Sequence, residues 1–493
     1  MRSRRSACTE CRAATFRAPV ELLRARPPLP KRVHECRRHR RKVICSRTVR
    51  GALLAVGCAG VLLSPARPSP AQTVRDSAGV RVVESTAPLW KPAGTWRVDR
   101  VLLAEMGTGR DHNDQFVDVT GAVIVRPGRV VVGDLGAHSV LVFDLAGNFV
   151  GRWGRQGSGP GDFQWLGTLQ LLHADSVLID DSGLGASVWT REGRFVRRTR
   201  MPFDKAGGDV MSSNVVGRMP SGHFVAEVPI ESGVLRVVGK TLFHLTRSVL
   251  IVSPDLKVIA RIGPLPSDGD RFGMKVNGLS ITDAVPYSSS STVRVFGDRL
   301  YLAKGPSFEI FRYDATGALR EVFRRAVTPR PIGESAKASF RKWYRGEIER
   351  RARSVEAKGN KESGRLTRQL RPVWLNNVPF PAAAPLIANF VVDAQGYIWV
   401  DDYVMLSDSL ATWSILDPQG RYLGSLPRPR DIETLFVSDT LVVGLAKDDD
   451  EVETVRVNRV RGRDVSRGRD VTPRPPAAPP ARTRISAPTA ARP

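Results

Sequence analysis

Short apolar runs separated by turn residues dominate the central part of the chain. Gly, Asp and Pro recur every few residues, and the intervals between them alternate or run apolar, with many Val, Ile, Phe, Tyr and Trp. One unit has an apolar run over 128–134, a second over 139–144, a turn that closes at Gly147, and a third run over 148–153. Runs of this length and composition predict β-strands joined by tight turns.

The same pattern of two runs, a turn and a third run recurs along the chain. Six copies open near residues 128, 175, 221, 297, 395 and 438, so the spacings are 47, 46, 76, 98 and 43 residues. Three intervals match one unit of about 45 residues, the length that a four-stranded sheet needs, and two contain insertions. A single sheet of this size cannot bury both faces, whereas a closed ring of six can. The pattern therefore predicts an all-β fold, a six-bladed β-propeller over residues 72–460.

One apolar run near the start of the predicted propeller is left over. It is Gly79-Val-Arg-Val-Val-Glu84, and the last copy of the repeat, which opens near residue 438, has fewer strands than the others. We expect the left-over run to pair into the sixth blade, because this pairing would close the ring and remove a free sheet edge.

The first blade and the turn that follows it have the most specific sequence. Val132–Asp144 precedes the segment Gly147–Phe163, which ends in Gly157-Ser-Gly-Pro-Gly-Asp-Phe163. Over these residues the chain resembles bacterial six-bladed β-propellers of the NHL-repeat kind, and the later copies match only in strand and turn pattern. The resemblance implies a ring with a central channel and a glycine turn that carries the chain to the next blade, with Phe163 packed beneath. It implies no single activity, because relatives include binding scaffolds, lactonase-like hydrolases and lyases.

A basic insertion separates blades four and five. Residues 334–371 hold 12 basic and 5 acidic side chains, and Phe340, Trp343, Tyr344 and Ile348 recur at helical spacing. This spacing predicts a helix from Ser335 to about Glu356 with one apolar stripe. Two interpretations stay open: the helix lays its aromatic residues on the propeller rim and exposes its Arg and Lys to water, or it forms a lid or anionic-ligand surface over the channel mouth.

The positive charge of the chain is concentrated at its two ends. The formal charge of the whole chain is +26, of which residues 1–50 carry +13 and residues 455–493 carry +8, so the 404 residues between them carry only +5. The near-neutral middle is long and apolar enough to bury a large core. We expect a disordered basic extension over 1–42, for which the alternative is a mis-assigned translation start, and a disordered Arg/Pro/Ala-rich tail over 461–493. We expect no specific nucleic-acid partner, because such runs are more often plain solvation.

Residues 43–71 have the order of a secretory signal. Basic residues from Lys42 to Arg50 precede the uncharged run Gly51–Leu63, and Ser69-Pro70-Ala71 offers small residues for cleavage. Thirteen apolar residues span only about 20 Å, which is short of a bilayer core. We therefore expect export to the periplasm or the exterior, with a mature chain that begins near Gln72. The alternative is a lipoprotein anchored at Cys58, because residues 55–58 resemble a lipobox, and only this alternative gives a membrane partner.

The cysteines add no metal site or disulfide to the predicted mature chain. All five lie at or before residue 58, and the spacing of Cys36 and Cys45 does not supply the second C-x-x-C that a zinc ribbon would need after Cys8 and Cys11. The mature chain then depends on its apolar core, and we expect it to be a monomer.

Carboxylates that follow the first strand of a repeat are the candidate site residues. Asp134, Asp181 and Asp402 occupy comparable places, and His138 follows Asp134 by four residues. They are candidates for convergence on the channel, where an enzyme of this fold would hold Ca²⁺ or Zn²⁺. The alternative is that these Asp residues cap turns by bonding backbone amides. No P-loop, nucleophile elbow or H-E-x-x-H motif is present.

Two classes of function follow from this sequence. The first is an exported propeller that binds a protein, peptide or glycan on one face, without catalysis and without a cofactor. The second is a metal-dependent hydrolase or lyase with its site at the central channel. The sequence favours the first class but does not identify catalytic residues, metal ligands or a specific ligand.

Overall fold

The computed structural model describes residues 71–91, 95–109, 114–173, 176–182, 184–201, 214–230, 236–267, 269–448 and 452–463. The predicted extension, the predicted signal segment apart from its last residue, and the chain beyond residue 463 lie outside the described residues.

Six sheets form the blades of the propeller, and each blade has four antiparallel strands. The sheet of blade four carries two further strands at its edge. Blade one contains β4 (Val119–Val125), β5 (Arg129–Asp134), β6 (Ser139–Asp144) and β7 (Phe149–Trp153). Blade two contains β8 (Leu166–Leu171), β9 (Val177–Asp181), β10 (Ala186–Trp189) and β11 (Phe195–Thr199). Blade three contains β12 (Asn214–Arg218), β13 (Phe224–Pro229), β15 (Thr246–Val252) and β16 (Val258–Pro266).

The remaining three blades follow after the insertions. Blade four contains β19 (Ser291–Phe296), β20 (Arg299–Lys304), β21 (Glu309–Asp314) and β22 (Leu319–Arg325). Blade five contains β23 (Ile387–Val392), β24 (Ile398–Asp402), β25 (Ala411–Leu416) and β26 (Tyr422–Arg428). Blade six contains β27 (Ile432–Val437), β28 (Leu441–Lys447), β29 (Glu453–Arg461) and, from the start of the chain, β3 (Arg97–Met106).

Apolar runs without alternation form the middle strands because both faces of each blade are buried. In β5, Val130 and Val132 lie in the core shared with blade six, whereas Val131 lies in the core shared with blade two. All three valines are inaccessible to water. Consecutive side chains of a strand point to opposite faces, so a strand between two neighbours needs apolar residues at every position.

The ring closes with six blades, which confirms the predicted fold. The first strand of each blade contacts the first strand of the next, and β27 of blade six contacts β4 of blade one. Blade six is completed by β3, which pairs antiparallel with β29. A strand from the beginning of the chain and three strands from its end thus share one sheet, which leaves no gap in the ring.

The prediction that Gly79–Glu84 closes the ring is wrong. This run forms β2 (Val80–Ser85), which pairs in parallel with β22 and extends blade four. Outside it lies β1 (Gln72–Ser77), antiparallel to β2. The reason is packing: Val83 is fully buried in the core between blades four and five.

A separate insertion module accounts for the two long intervals between repeats. It consists of a three-stranded sheet, β14 (Lys240–Phe243), β17 (Arg271–Val276) and β18 (Leu279–Ala284), and of the helices α1 (Glu334–Ala357) and α2 (Lys361–Asn377). The helical insertion between blades four and five is therefore confirmed. Among the described residues, neither α1 nor α2 has the length and apolar character needed to cross a bilayer.

The apolar stripe of α1 packs on the module's own sheet, and the core that it joins also includes Met405 of the blade five connection at the rim of the propeller. Phe340, Tyr344 and Ile348 share a core with Phe272 and Ile281 of the three-stranded sheet. This sheet was not predicted from the sequence, because its short strands are interrupted by charged residues and glycine.

All parts of the module emerge at the same end of the propeller. In every blade the second strand ends, and the first strand begins, at one end of the sheet, because neighbouring strands are antiparallel. Strand β14 lies in the connection between β13 and β15, the β17–β18 hairpin between β16 and β19, and the helices between β22 and β23. We call this end, which carries the connections between second and third strands and between blades, the insertion end.

Candidate binding end of the propeller

Asp134 and Asp181 are fully buried at the ends of equivalent strands and hold the connection that precedes their own blade. The Asp134 carboxylate accepts hydrogen bonds from the backbone N–H groups of Val117 (3.1 Å), Asp118 (3.0 Å) and Ala137 (3.2 Å). The Asp181 carboxylate accepts from the N–H groups of Gln164 (2.8 Å) and Trp165 (3.0 Å). Both carboxylates thus shape the rim of the insertion end by fixing its backbone.

His138 lies in the turn that follows Asp134 and is partly buried. Its backbone has φ +48°, which is the left-handed region that few non-glycine residues adopt. Its Nδ1 atom is buried and has no hydrogen-bond partner among the described residues. No group of three or more His, Cys, Asp and Glu side chains in the described part of the chain is placed to hold a metal ion, so the four candidates do not form a common metal site there.

Asp402 lines a cavity. This cavity of about 220 Å³ lies at the insertion end between blades four and five. Its lining residues are Phe308, Arg325, Val327, Arg330, Pro385, Leu386, Asp402, Tyr403, Val404, Asp408, Leu410, Ala411 and Thr412. The Asp402 carboxylate accepts hydrogen bonds from the hydroxyls of Thr412 (2.6 Å) and Ser414 (2.7 Å). Burial raises the pKa of Asp402, and the hydroxyl bonds partly offset this effect.

Two guanidinium groups stand against the two carboxylates of the cavity wall, Asp402 and Asp408. Arg325 donates to the Ser414 hydroxyl (2.6 Å) and lies 4.0 Å from the Asp402 carboxylate, with its guanidinium 4.1 Å from the centre of the Tyr422 ring. Arg330 is paired with Asp408 at 2.7 Å. Arg325 is thus held rigidly by a neutral hydroxyl and an aromatic ring, and its nearest carboxylate is at the outer limit of an ion pair.

The remaining polar wall is neutral. Burial raises the pKa of Tyr403 to about 12, so its phenol stays protonated at neutral pH. The apolar part of the wall includes Phe308, Leu386 and Leu410, and the side chain of Leu410 is 80% exposed at the rim. A cavity with one weakly neutralised cation, a protonated phenol and an apolar wall suits a ligand group that combines an apolar body with hydrogen-bond acceptors.

A second polar cluster lies on the first strands of blades four, five and six, and sequence reasoning missed it. Arg294 on β19 donates to the Asn389 side-chain oxygen (2.7 Å), and Asn389 donates to the Thr434 carbonyl (2.9 Å). Glu433 on β27 is water-accessible, but the surrounding strands desolvate it and raise its pKa, and the nearby Asp401 adds to the effect. These polar residues interrupt otherwise apolar first strands, and this pattern could have indicated the cluster. Which way each side chain points is decided only when the blades close into a ring.

Asp180 and Asp401 stand directly before two of the candidates and have a different role. The Asp180 carboxylate accepts from the Val215 N–H of blade three (3.0 Å), and burial raises the pKa of Asp180 to about 7. The Asp401 carboxylate accepts from the N–H (3.0 Å) and the hydroxyl (2.6 Å) of Thr434 in blade six. These aspartates tie each blade to the next, so they are structural.

Exposed apolar side chains in the blade connections occur at one end of the propeller. After β3, every large apolar side chain that is exposed in a described connection between blade strands lies at the insertion end: Val117, Trp165, Ile230, Val238, Leu406, Leu410 and Val452. The described turns at the opposite end carry none. The other exposed large apolar residues lie on outer strands, in the module or in the N-terminal segment. The exposed apolar side chains of the blade connections thus share one end of the ring, which is the end that an interaction surface would use.

Comparisons with known proteins return distant structural similarity. No protein-family model matches the chain, and no curated protein matches it. The chain is similar to the crystal structure of a putative exported protein from Bacteroides fragilis, at 12% identity and TM-score 0.40, over 77% of this chain and 99% of that one. It is similar to a catalytically inactive virginiamycin B lyase from Staphylococcus aureus with quinupristin, at 9% identity and TM-score 0.34, over 74% and 99%. A calcium-binding regucalcin from Agrobacterium tumefaciens matches at 12% identity and TM-score 0.35, over 73% and 96%.

Proposed function

We propose that this chain is an exported binding protein whose ligand, a protein, peptide or glycan, occupies the insertion end of the propeller. The observation that carries the proposal is the one-sided distribution of exposed apolar side chains. Each large apolar side chain left in water forgoes about 1.5–3 kcal/mol of burial free energy. A partner that covers Trp165, Leu406 and Leu410 would recover part of this free energy, whereas the opposite end offers nothing comparable.

The cavity between blades four and five supports a specific seat for part of the ligand. It adjoins the exposed Leu410, and the Arg325 guanidinium provides donors at its wall. An apolar surface with a small polar cavity at its edge is the usual composition of a recognition site. A ligand group with acceptor oxygens would bond these donors, while apolar parts of the ligand cover the rim.

A metal-dependent hydrolase or lyase at the channel fits the described residues less well. Ca²⁺ and Zn²⁺ need several convergent oxygen, nitrogen or sulfur ligands. Asp134 and Asp181 already accept backbone hydrogen bonds, and the described residues include no group of three donors suited to an ion. The purified chain, dialysed against Ca²⁺ and against Zn²⁺, is expected to retain no stoichiometric ion. One ion per chain that EDTA removes would favour the enzyme.

Export and the finer family assignment belong to the same proposal. Residues 43–71 act as the signal, with release near Gln72, and lipid attachment at Cys58 is the alternative. The ring is of the NHL kind, supported by the linker between blades one and two, where Gly161 has φ +81° and Phe163 is fully buried beneath the turn. Mass spectrometry of the mature N-terminus decides between the two modes of export: a lipidated Cys58 would contradict soluble release.

The binding site is tested with peptides selected on the protein. A displayed random peptide library is panned on the mature chain, and each selected peptide is measured against Trp165→Ala and Leu410→Asp. We expect binding to fall about tenfold or more, the effect of removing one anchor residue. The matched control is Val196→Asp, an exposed apolar residue on the outer strand β11. Peptides that lose binding only to the control variant would contradict the proposal, and a glycan array repeats the test for carbohydrate.

A further inference from the structure

The charges of the helical hairpin, α1 with α2, are divided sharply between paired and unpaired groups. Each of its five glutamates has an Arg or Lys partner: Glu334 with Lys337, Glu347 with Arg351, Glu349 and Glu356 with Arg368, and Glu362 with Arg365. Asp283 of β18 takes Arg351 and Arg371. Every carboxylate of the hairpin is therefore paired with an Arg or Lys of the same hairpin.

Five cations of the hairpin have no carboxylate within ion-pair distance among the residues that the structure describes. They are Lys342, Arg345, Arg353, Lys358 and Lys361, and all five are exposed. The excess charge is thus not spread over the hairpin but confined to its water-facing surface. No intramolecular contact explains it.

Three of these cations share the outer face of α1. At 100° per residue, Lys342, Arg345 and Arg353 fall within an arc of about 80°, opposite the face that buries Phe340 and Tyr344. They extend about 16 Å along the helix axis. Glu349 and Glu356 lie on the same face, but both carboxylates are bonded to Arg368 of α2, the first at 3.0 Å. The outer face is a straight, convex row of positive charge.

An exposed indole lies on the flank of α1, about 100° around the helix from Lys342 and between the row and the buried face. Trp343 is 45% exposed, while one side of its ring packs against Phe340 with the centroids 5.7 Å apart. A half-buried indole beside a row of cations is the composition of helices that lie in a membrane interface, where the ring enters the headgroup region and the cations meet anionic lipid.

We propose that the outer face of α1 docks on an anionic lipid bilayer, with Lys342, Arg345 and Arg353 facing the headgroups and Trp343 inserted beside them. The convex shape of the face favours a flat partner, because a soluble acidic polymer is normally held in a groove, and the row has no second wall. The contact is peripheral, and it is independent of the ligand proposed for the insertion end and of any lipid at Cys58.

The test uses the mature chain and vesicles of phosphatidylcholine with or without about one third phosphatidylglycerol. Each Lys or Arg near an anionic surface contributes about fivefold to binding. The triple variant Lys342→Glu, Arg345→Glu, Arg353→Glu, which reverses three charges, is therefore expected to weaken co-sedimentation with anionic vesicles by at least about a hundredfold. The matched control Arg194→Glu, Arg197→Glu, Arg200→Glu makes the same charge change at exposed residues of blade two and should stay within about twofold of the unaltered chain.

A second measurement tests whether Trp343 inserts into the bilayer, which electrostatic attraction alone would not require. Brominated acyl chains quench indoles at the interface, so the unaltered chain should lose fluorescence on anionic vesicles, and Trp343→Phe should lose most of that quenching. Equal weakening by both triple variants would show a general charge effect and overturn the proposal. Unchanged vesicle binding by the α1 variant, with lost binding to inorganic polyphosphate, would also overturn it in favour of a soluble polyanion.

Discussion

A buried clasp at the end of the described chain offers the sharpest test of how the ring is held. The Arg463 guanidinium donates to the Asp393 carboxylate at 2.7 Å, and both side chains are almost fully buried, at 1% and 0% exposure. It lies 5.0 Å from the ring centres of both Trp96 and Tyr397. It also donates to the Ser438 carbonyl at 3.1 Å. The clasp thus joins the segment before β3, blade five and blade six.

Replacing Arg463 by Met keeps most of the volume between the two rings but removes the charge. Breaking a buried ion pair by removing one partner costs about 3–5 kcal/mol, because the other charge is left desolvated. The entropy of unfolding is about 2.1 cal/mol/K per residue, so for a ring of this length the cost corresponds to a fall in Tm of about 4–6 °C. The assay is thermal unfolding followed by circular dichroism.

Arg461→Met is the matched control two residues earlier. Arg461 is 66% exposed and pairs with Asp99 at the surface, so its loss should cost at most about 1 kcal/mol. Burial raises the pKa of Asp393, although Arg463 opposes the shift, so its protonated form becomes available as the pH falls. The loss caused by Arg463→Met should therefore be smaller at pH 5 than at pH 8. Equal effects of the two variants, or a loss that grows as the pH falls, would refute this reasoning.

Three further predictions concern stability. Burial raises the pKa of Asp180 to about 7, so its contribution to stability is fully present below about pH 4 and is lost as the pH rises to about 7. Asp180→Asn should remove this part of the pH dependence of the unfolding free energy measured in urea, which is up to about 1.4 kcal/mol per pH unit. An unchanged slope would contradict this prediction. Gly420→Ala should destabilise by about 2–4 kcal/mol in urea unfolding, because φ is +81° and the added Cβ would meet the Phe323 ring; a neutral result would refute the close packing. Removing residues 1–86 should lower the midpoint but keep unfolding cooperative, whereas removing residues 1–106 deletes β3 and should abolish cooperative unfolding; equal behaviour of the two truncations would contradict the closure of blade six.

Repetition made the blades predictable. Each blade buries both faces, so its middle strands must be apolar at nearly every position and its turns must recur at one spacing. The closing strand was not predictable in the same way. β3 carries charged residues among its apolar ones, and its partner β29 lies about 350 residues later in the chain. The more apolar β2 is the more obvious strand, but tertiary packing assigns it to blade four.

The roles of the candidate site residues could not be predicted from the repeat alone. An Asp at the end of a second strand fits a channel ligand and a turn cap equally well, and only the fold shows that Asp134 and Asp181 bond the preceding connection. Asp402 has the same place in its blade, but its longer following connection opens a cavity. The apolar stripe of α1 was predictable from its period, whereas the sheet beneath it was not.

The claim that the insertion end binds the ligand is tested most directly by hydrogen–deuterium exchange with a selected peptide bound. We predict slower exchange in the connections 154–165 and 403–410, and unchanged exchange in the turns 190–194 and 417–421 at the opposite end. Protection confined to the opposite turns or to the outer strands would contradict the claim.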